Sequence, residues 1–324
     1  MNLLDRDDIE SFFAGVVRLE RTESGIRPHR HTEKQIQHYE TANEMWGVRA
    51  NCTAGVVLRL FTDSQTVTLS GQVLLGARQY AGFDVAIDGR WIRALRFDTS
   101  DETRSFSLEF DTREKREISC VLPQSAIVEF DAIQLDTDAT VAPGAKRTRR
   151  YLALGDSITQ GMDARGPASA YPIQLARMLD ADLLNLGVGG HIFDPDALDD
   201  DLPYSPDLVT IAYGTNDWSR DLTRTQVADV AKAYLDRLTR TVARDAQIYL
   251  LTPLWRTNAD EVKPGGNLIV FSGAIAEAAG SVSGVSVIDG TTLVPHREDL
   301  FVDGLHPNDE GFLHYAVGLR GVIA

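Results

Sequence analysis

The sequence predicts a two-part α/β protein, an antiparallel β-sandwich or jelly roll followed by a parallel sheet with helices on both faces. Three observations carry that reading. At 324 residues the chain exceeds the usual size of one domain. From about residue 45 to 135, short runs alternate apolar and polar residues with polar turns between them. After residue 150, continuous apolar runs alternate with helical patterns, as expected of strands buried on both faces.

The elements follow in order. A short helix is expected around residues 6–16. Phe83, Val85 and Ile87 alternate, and Asp88-Gly89 supports the positive φ angles of a type I′ turn before the strand opening at Trp91-Ile92. Phe106, Leu108 and Phe110 alternate again, as do Ile118, Cys120 and Leu122. The polar stretch DTDATVAPGAKRTRR, residues 136–150, reads as a linker between a domain over 1–135 and one over 151–324. Its basic end is short and sits in an acidic chain, so a solvated connection is expected rather than a nucleic-acid patch. Beyond it come YLAL, a helix around 169–180, LLNLG and LVTIAY. A long helix follows, with Val227, Val230, Ala231, Tyr234, Leu235, Leu238 and Val242 at helical spacing. IYLLTP, another helix, VSVID and a terminal helix complete the chain.

Composition bounds the function. With 43% hydrophobic and 24% charged residues the chain can bury a core without covalent staples. Cys52 and Cys120 lack metal-type spacing and lie in or beside strand-like stretches, where buried free thiols are expected. The net charge of −15 argues against nucleic acid or an anionic membrane as the main partner, since both attract basic surfaces. MNLLDRDDIESFFAGVV lacks the positive and apolar regions of a secretory signal, and no apolar run approaches the roughly 20 residues that span a bilayer. The expectation is a soluble, cytoplasmic protein.

Four candidate motifs sit at or after strand ends: GDSITQG (155–161), NLGVGGH (185–191), YGTNDW (213–218) and DGLHPNDEG (303–311). In open parallel sheets, ligands bind beyond the carboxyl ends of the strands. Gly-Asp-Ser is also ordinary turn and helix-cap vocabulary, so the other blocks decide. A serine hydroxyl needs a base within hydrogen-bond reach and an acid to orient that base. His306 is the base candidate, and Asp303 lies three residues earlier, where a tight turn brings its carboxylate against the imidazole. Pro307 biases His306 towards an extended backbone. The negative oxygen of an acyl-transfer intermediate needs donors, which the Ser157 N–H, the Gly190 N–H and the Asn216 amide can supply. Gly189 is the alternative glycine; spacing from Asn185 favours Gly190. Asp156 is read as shaping the turn and Asp217 as supporting its loop. Asp156, Asp303 and His306 as metal ligands are the weaker alternative, with one histidine and a serine that needs no metal. No cofactor or metal is expected.

These blocks resemble, in order, the four signature blocks of the SGNH (GDSL-type) hydrolase superfamily over roughly residues 150–324. The resemblance implies a flavodoxin-like three-layer α/β/α domain. It also implies Ser157 as nucleophile and oxyanion donor, Gly190 and Asn216 completing the oxyanion hole, and Asp303 and His306 completing the triad. A β-sandwich ahead of such a domain resembles the two-domain esterases that remove acetyl groups from sugars. The expected function is therefore hydrolysis of short acyl esters, foremost O-acetyl groups on a carbohydrate. Lipase or lysophospholipase, thioesterase and acyltransferase are the enzymatic alternatives, and a carbohydrate-binding scaffold is the non-enzymatic one. The expected partner is a small-molecule or carbohydrate ester, and the sandwich is a candidate to bind sugar, cover the active site or mediate a homo-oligomer. His191, Trp218 and Trp255 follow strand ends and are candidates to line the substrate pocket. DPDALDDDLP (194–203) lacks calcium-loop spacing and reads as a solvated lid, while His29-Arg30-His31 is assigned no role.

Overall fold

The structure is a computed structural model and describes residues 1–100 and 103–323. Period-two alternation makes each strand of the first half apolar on one face, and two such sheets must bury those faces against each other. The elements are β1 (Phe13–Ala14), β2 (Arg18–Arg21), β3 (Ile26–His29), α1 (Glu33–Ala42), α2 (Glu44–Asn51), β4 (Val57–Thr62) and β5 (Thr66–Gly76). Then come β6 (Tyr80–Ile87), β7 (Arg90–Asp98), β8 (Thr103–Glu109), β9 (Arg116–Val121), β10 (Ala126–Leu135) and β11 (Val141–Pro143). One sheet runs β1-β4-β9-β6-β7 with β11 added on β4, and the other runs β2-β3-β10-β5-β8. Leu58, Leu60, Val67, Leu69, Phe83, Val85, Ile118, Cys120, Val128 and Phe130 fill the space between them. Asp88 and Gly89 both have positive φ and join β6 to β7, as the turn sequence predicts.

Three expectations for this half are corrected. Residues 6–16 form no α-helix: a 3₁₀ turn at Ile9–Phe12 leads into β1, because Ile9, Phe12 and Phe13 fill the sandwich core from one short irregular segment. Residues 33–51 form two α-helices, so the strands begin later than residue 45. The expected linker is not all linker, since Val141–Pro143 pairs with β4 and closes one edge of the sandwich. Two of the basic residues beyond it face acids, with Arg147 3.1 Å from Asp180 and Arg150 3.8 Å from Asp207.

The second half contains β12 (Arg149–Gly155), α3 (Ser157–Gln160), α4 (Tyr171–Met178), β13 (Ala181–Gly187), β14 (Leu208–Ala212), α5 (Thr215–Ser219) and α6 (Arg224–Leu238). It ends with β15 (Gln247–Leu251), α7 (Leu268–Gly280), β16 (Val285–Ile288) and α8 (Asp309–Val322). The five strands are parallel in the order β13-β12-β14-β15-β16. Both faces are covered. Tyr151 and Ala153 point towards Tyr171, Phe312 and Tyr315 of α4 and α8, whereas Leu152 and Leu154 point towards Tyr234, Phe271 and Ile275 of α6 and α7. The chain steps outward from β12 to β13, then back across to β14, which leaves a crevice beyond the ends of β12 and β14.

The halves are fastened by a buried cation. Arg30 donates to the carbonyls of Cys52, Arg49 and, across the domain boundary, Asn185 of β13, each at 2.7 Å. Complete burial pulls its guanidinium down to about 10. The 194–203 segment is also tied down and is not a free lid. Thr32 Oγ1 donates to Asp199 at 2.7 Å, Gln35 donates to the Ala197 carbonyl, His38 Nε2 lies 2.7 Å from Asp194, and Arg237 grips Asp200. Both cysteines are buried and free. Among the described residues, no helix is long and apolar enough to cross a membrane.

Candidate active site

β12 ends at Gly155, where a side chain would press on the Ala212 carbonyl of β14, so the strand end stays narrow. The Asp156 carboxylate then accepts the Ile158 N–H at 2.9 Å and caps α3, placing Ser157 first in that turn. Gly161, at φ +88°, turns the chain away after a single turn. Ser157 is nearly buried, and its Oγ lies 2.8 Å from His306 Nε2. His306 Nδ1 lies 2.8 Å from Asp303 Oδ2, so a proton on Nδ1 leaves Nε2 free to accept from the serine. The other oxygen of Asp303 accepts the backbone N–H groups of Leu305 and His306, at 3.0 and 2.8 Å. The bond to His306 and these two N–H donors hold the Asp303 carboxyl well below the usual carboxylate range.

The donor candidates gather beside this chain. Gly190 has φ +76°, a conformation that favours glycine. Gly189 is committed elsewhere: its N–H donates to Gln160 Oε1 and its carbonyl accepts Arg49, both at 2.8 Å. The amide of Asn216 donates to the His191 carbonyl at 3.0 Å and to Asp156 Oδ2 at 3.2 Å. Burial pushes the Asp156 carboxyl up to about 7. Asp217 is buried behind Asn216, accepts the Phe193 N–H, and is likewise pushed up by burial, to about 6.

Two of the three expected pocket residues are elsewhere. His191 has no exposed surface and is boxed by the rings of Tyr39, Trp46 and Tyr213, so only its backbone carbonyl reaches the site. Trp218 is fully buried and donates to the Gly266 carbonyl, as a core tryptophan must. Trp255 is partly buried and stacks on His296 at 5.2 Å.

Several residues outside the expected catalytic and oxyanion set support the site. Asn185 donates to the Thr159 carbonyl and accepts the Gly187 N–H, joining α3 to the end of β13. Gln160 and Arg49 hold the 189–190 loop. Asn185 and Gln160 lie within the quoted motifs, so their polarity inside apolar or glycine-rich blocks was the available signal. Asp163, just beyond GDSITQG, comes within 3.3 Å of His306 Nδ1. Asp163, Asp303 and His306 are grouped closely enough to hold a metal ion, but Arg78 already neutralises Asp163 and His306 bridges a carboxylate and a serine. That arrangement suits proton movement through the imidazole better than cation binding.

Residues 153–312 match the GDSL-like lipase/acylhydrolase family. No curated protein matches the chain. Among solved structures, it is similar to a salicylyl acyltransferase of a tetracycline biosynthetic pathway, at 18% identity and a TM-score of 0.84 over 95% of this chain and 92% of that one. A Bacteroides ovatus protein described as a GDSL-like lipase has 20% identity and a TM-score of 0.76, over 96% and 94% of the two chains. A family two carbohydrate esterase from Clostridium thermocellum, solved with cellohexaose, has 15% identity and a TM-score of 0.70, over 96% and 97%. At these identities the likeness is one of fold, and it includes the sandwich as well as the parallel-sheet domain. The C-terminal domain belongs to the GDSL-like lipase/acylhydrolase family of SGNH hydrolases, and the protein is a carboxylic ester hydrolase.

Proposed function

We propose that the protein hydrolyses short-chain acyl esters, foremost O-acetyl groups on a carbohydrate, through Ser157, His306 and Asp303. The observation that carries the reading is the continuous chain from Ser157 Oγ through both nitrogens of His306 to Asp303, with 2.8 Å at each link. His306 Nε2 takes the Ser157 proton as Oγ bonds to the ester carbonyl carbon, and Asp303 stabilises the imidazolium. The carbonyl oxygen becomes an oxyanion facing the N–H groups of Ser157 and Gly190, and shares the Asn216 N–H now directed at Asp156. The C–O bond to the alcohol breaks as His306 returns the proton to it, leaving an acyl-enzyme on Ser157. Water, deprotonated by the same imidazole, attacks the acyl carbon; carboxylic acid leaves and Ser157 regains its proton.

Polar loops around the motif blocks support a short acyl group over a long chain, which needs an extended apolar groove. The sandwich-plus-hydrolase likeness to a carbohydrate esterase supports a sugar as the alcohol. A second reading, transfer of the acyl group to an alcohol instead of water, draws on the fold shared with an acyltransferase. The test is acetate release from p-nitrophenyl acetate and from acetylated sugars, against p-nitrophenyl decanoate. Ser157→Ala should lower kcat by about 10⁵ without changing the fold. Near-native turnover in that variant, or a clear preference for decanoate, overturns the reading; acyl products on added alcohols that outpace free acetate favour transfer.

A further inference from the structure

His306 faces two carboxylates, and only one belongs to its own loop. Asp303 Oδ2 lies 2.8 Å from Nδ1 and Asp163 Oδ2 lies 3.3 Å from the same nitrogen. Their surroundings differ. The Asp303 side chain is 50% exposed, whereas that of Asp163 is 11% exposed. A charge screened by water does less for a nearby imidazolium than one held in a low-dielectric site. Asp163 is therefore the better insulated of the two charges.

What holds Asp163 comes from the other domain. Arg78, in the turn between β5 and β6, grips its carboxylate with two parallel bonds of 3.0 Å, and Tyr80 Oη donates to it at 3.0 Å. Such a two-pronged pair fixes orientation as well as charge. Asp163 sits at φ +70°, a conformation sparsely populated outside glycine, which persists where surrounding contacts over-determine it. Burial pushes its carboxyl up, yet Arg78, His306 and Tyr80 together keep it below the usual range.

We propose that Asp163, clamped by Arg78 and Tyr80 of the β-sandwich, is a second positioning carboxylate for His306, so that the N-terminal domain helps set the orientation and charge balance of the base. The inference rests on the reading of Ser157, His306 and Asp303 given above. Other charged groups act here too. Asp156 lies within electrostatic reach of His306, Arg256 of Asp303, and Asp309 of Tyr80. None of these three approaches Nδ1 as the two carboxylates do.

The test is the pH profile of kcat/KM on p-nitrophenyl acetate for the full chain, with folding checked by circular dichroism. Arg78→Met leaves a carboxylate uncompensated beside His306, favours the imidazolium, and should move the acid limb up by about one pH unit. Asp163→Asn leaves the cation instead, and should move the limb down by about as much while lowering kcat about tenfold. The double variant should return the limb to within a few tenths of a unit of wild type. A structural role alone predicts no opposite shifts. If Arg78→Met does not fold, Asp303 carries the test. Asp303→Asn should lose about 10² in kcat, and adding Asp163→Asn should bring the loss to the order of 10⁴ that removal of a lone triad acid costs. Asp163→Asn with an unmoved limb and kcat within twofold of wild type overturns the inference, as does Asp303→Asn already at the level of the double variant. If Ser157→Ala is inactive in either case, the triad reading survives; if it is active, that reading falls first.

Discussion

The parallel sheet and the sandwich contribute to the site in opposite ways. β12 and β14 are packed on both faces, so their side chains are used up in the core and reactive groups emerge only where the strands end, at Ser157 and just before Asn216. Sandwich strands such as β4 are packed on one face, and β7 leaves much of its length exposed. Its groups reach the site from turns and helices: Arg78 between strands, Arg49 from α2, and Arg30 just after β3. One half presents the chemistry and the other holds it. The sandwich is therefore a structural part of the hydrolase half, not an appendage.

That division can be broken or sharpened by substitution, beginning with the largest effect. Arg30→Ala takes the guanidinium from the buried Cys52 and Asn185 carbonyls and leaves the Arg49 carbonyl with Gln160 alone, and should cost about 4 kcal/mol of stability, given about 1–3 kcal/mol per unmet buried group. Urea unfolding measures it, and a loss below about 1 kcal/mol would mean the halves stand independently.

Asp156→Asn sharpens the hydrolase side. The new amide can still cap α3, but it cannot both do so and accept from Asn216, so kcat should fall by about 10² as an oxyanion donor is misdirected. Stability should move the other way with pH. Burial raises the Asp156 carboxyl from 3.8 to about 7 in the folded state, so its contribution is fully present below about pH 4 and is lost as pH rises through 7. The asparagine escapes that loss. Between pH 5 and 8 its unfolding midpoint should gain on wild type by the equivalent of about 1 kcal/mol or more, and a constant difference would show that Asp156 stays ionised.

Asp199→Ala is the smallest change. It removes the bond from Thr32 that docks the 194–203 segment on the start of α1, and should cost about 1 kcal/mol with kcat within twofold of wild type. A larger fall in kcat, read from initial rates, would show that this segment works as a closing element after all.

Much of the site was legible because its parts are local. Ser157 with its capping Asp156, and Asp303 three residues before His306, are short-range geometries that a few residues fix by themselves. The helices α1 and α2 were missed because their apolar positions are few, Ile36, Tyr39 and Trp46 among them, and those side chains pack on Val188 and Ala197 of the other domain. The readable signal was the capping box of Thr32 and Gln35. His191 and Trp218 show the opposite failure. An aromatic residue after a strand end reads alike whether it faces a pocket or the core, and here the rings around His191 and the Gly266 carbonyl near Trp218 take them inward.

The sequence by itself determined the order of the two domains, the parallel strands and the four blocks at their ends, because periodicity and turn chemistry act over a few residues. Only the tertiary structure decided that Arg30 joins the domains and that Asp163 meets both His306 and Arg78. Those contacts link positions such as 78 and 163, and the packing of every intervening element sets which distant side chains come within reach of one another.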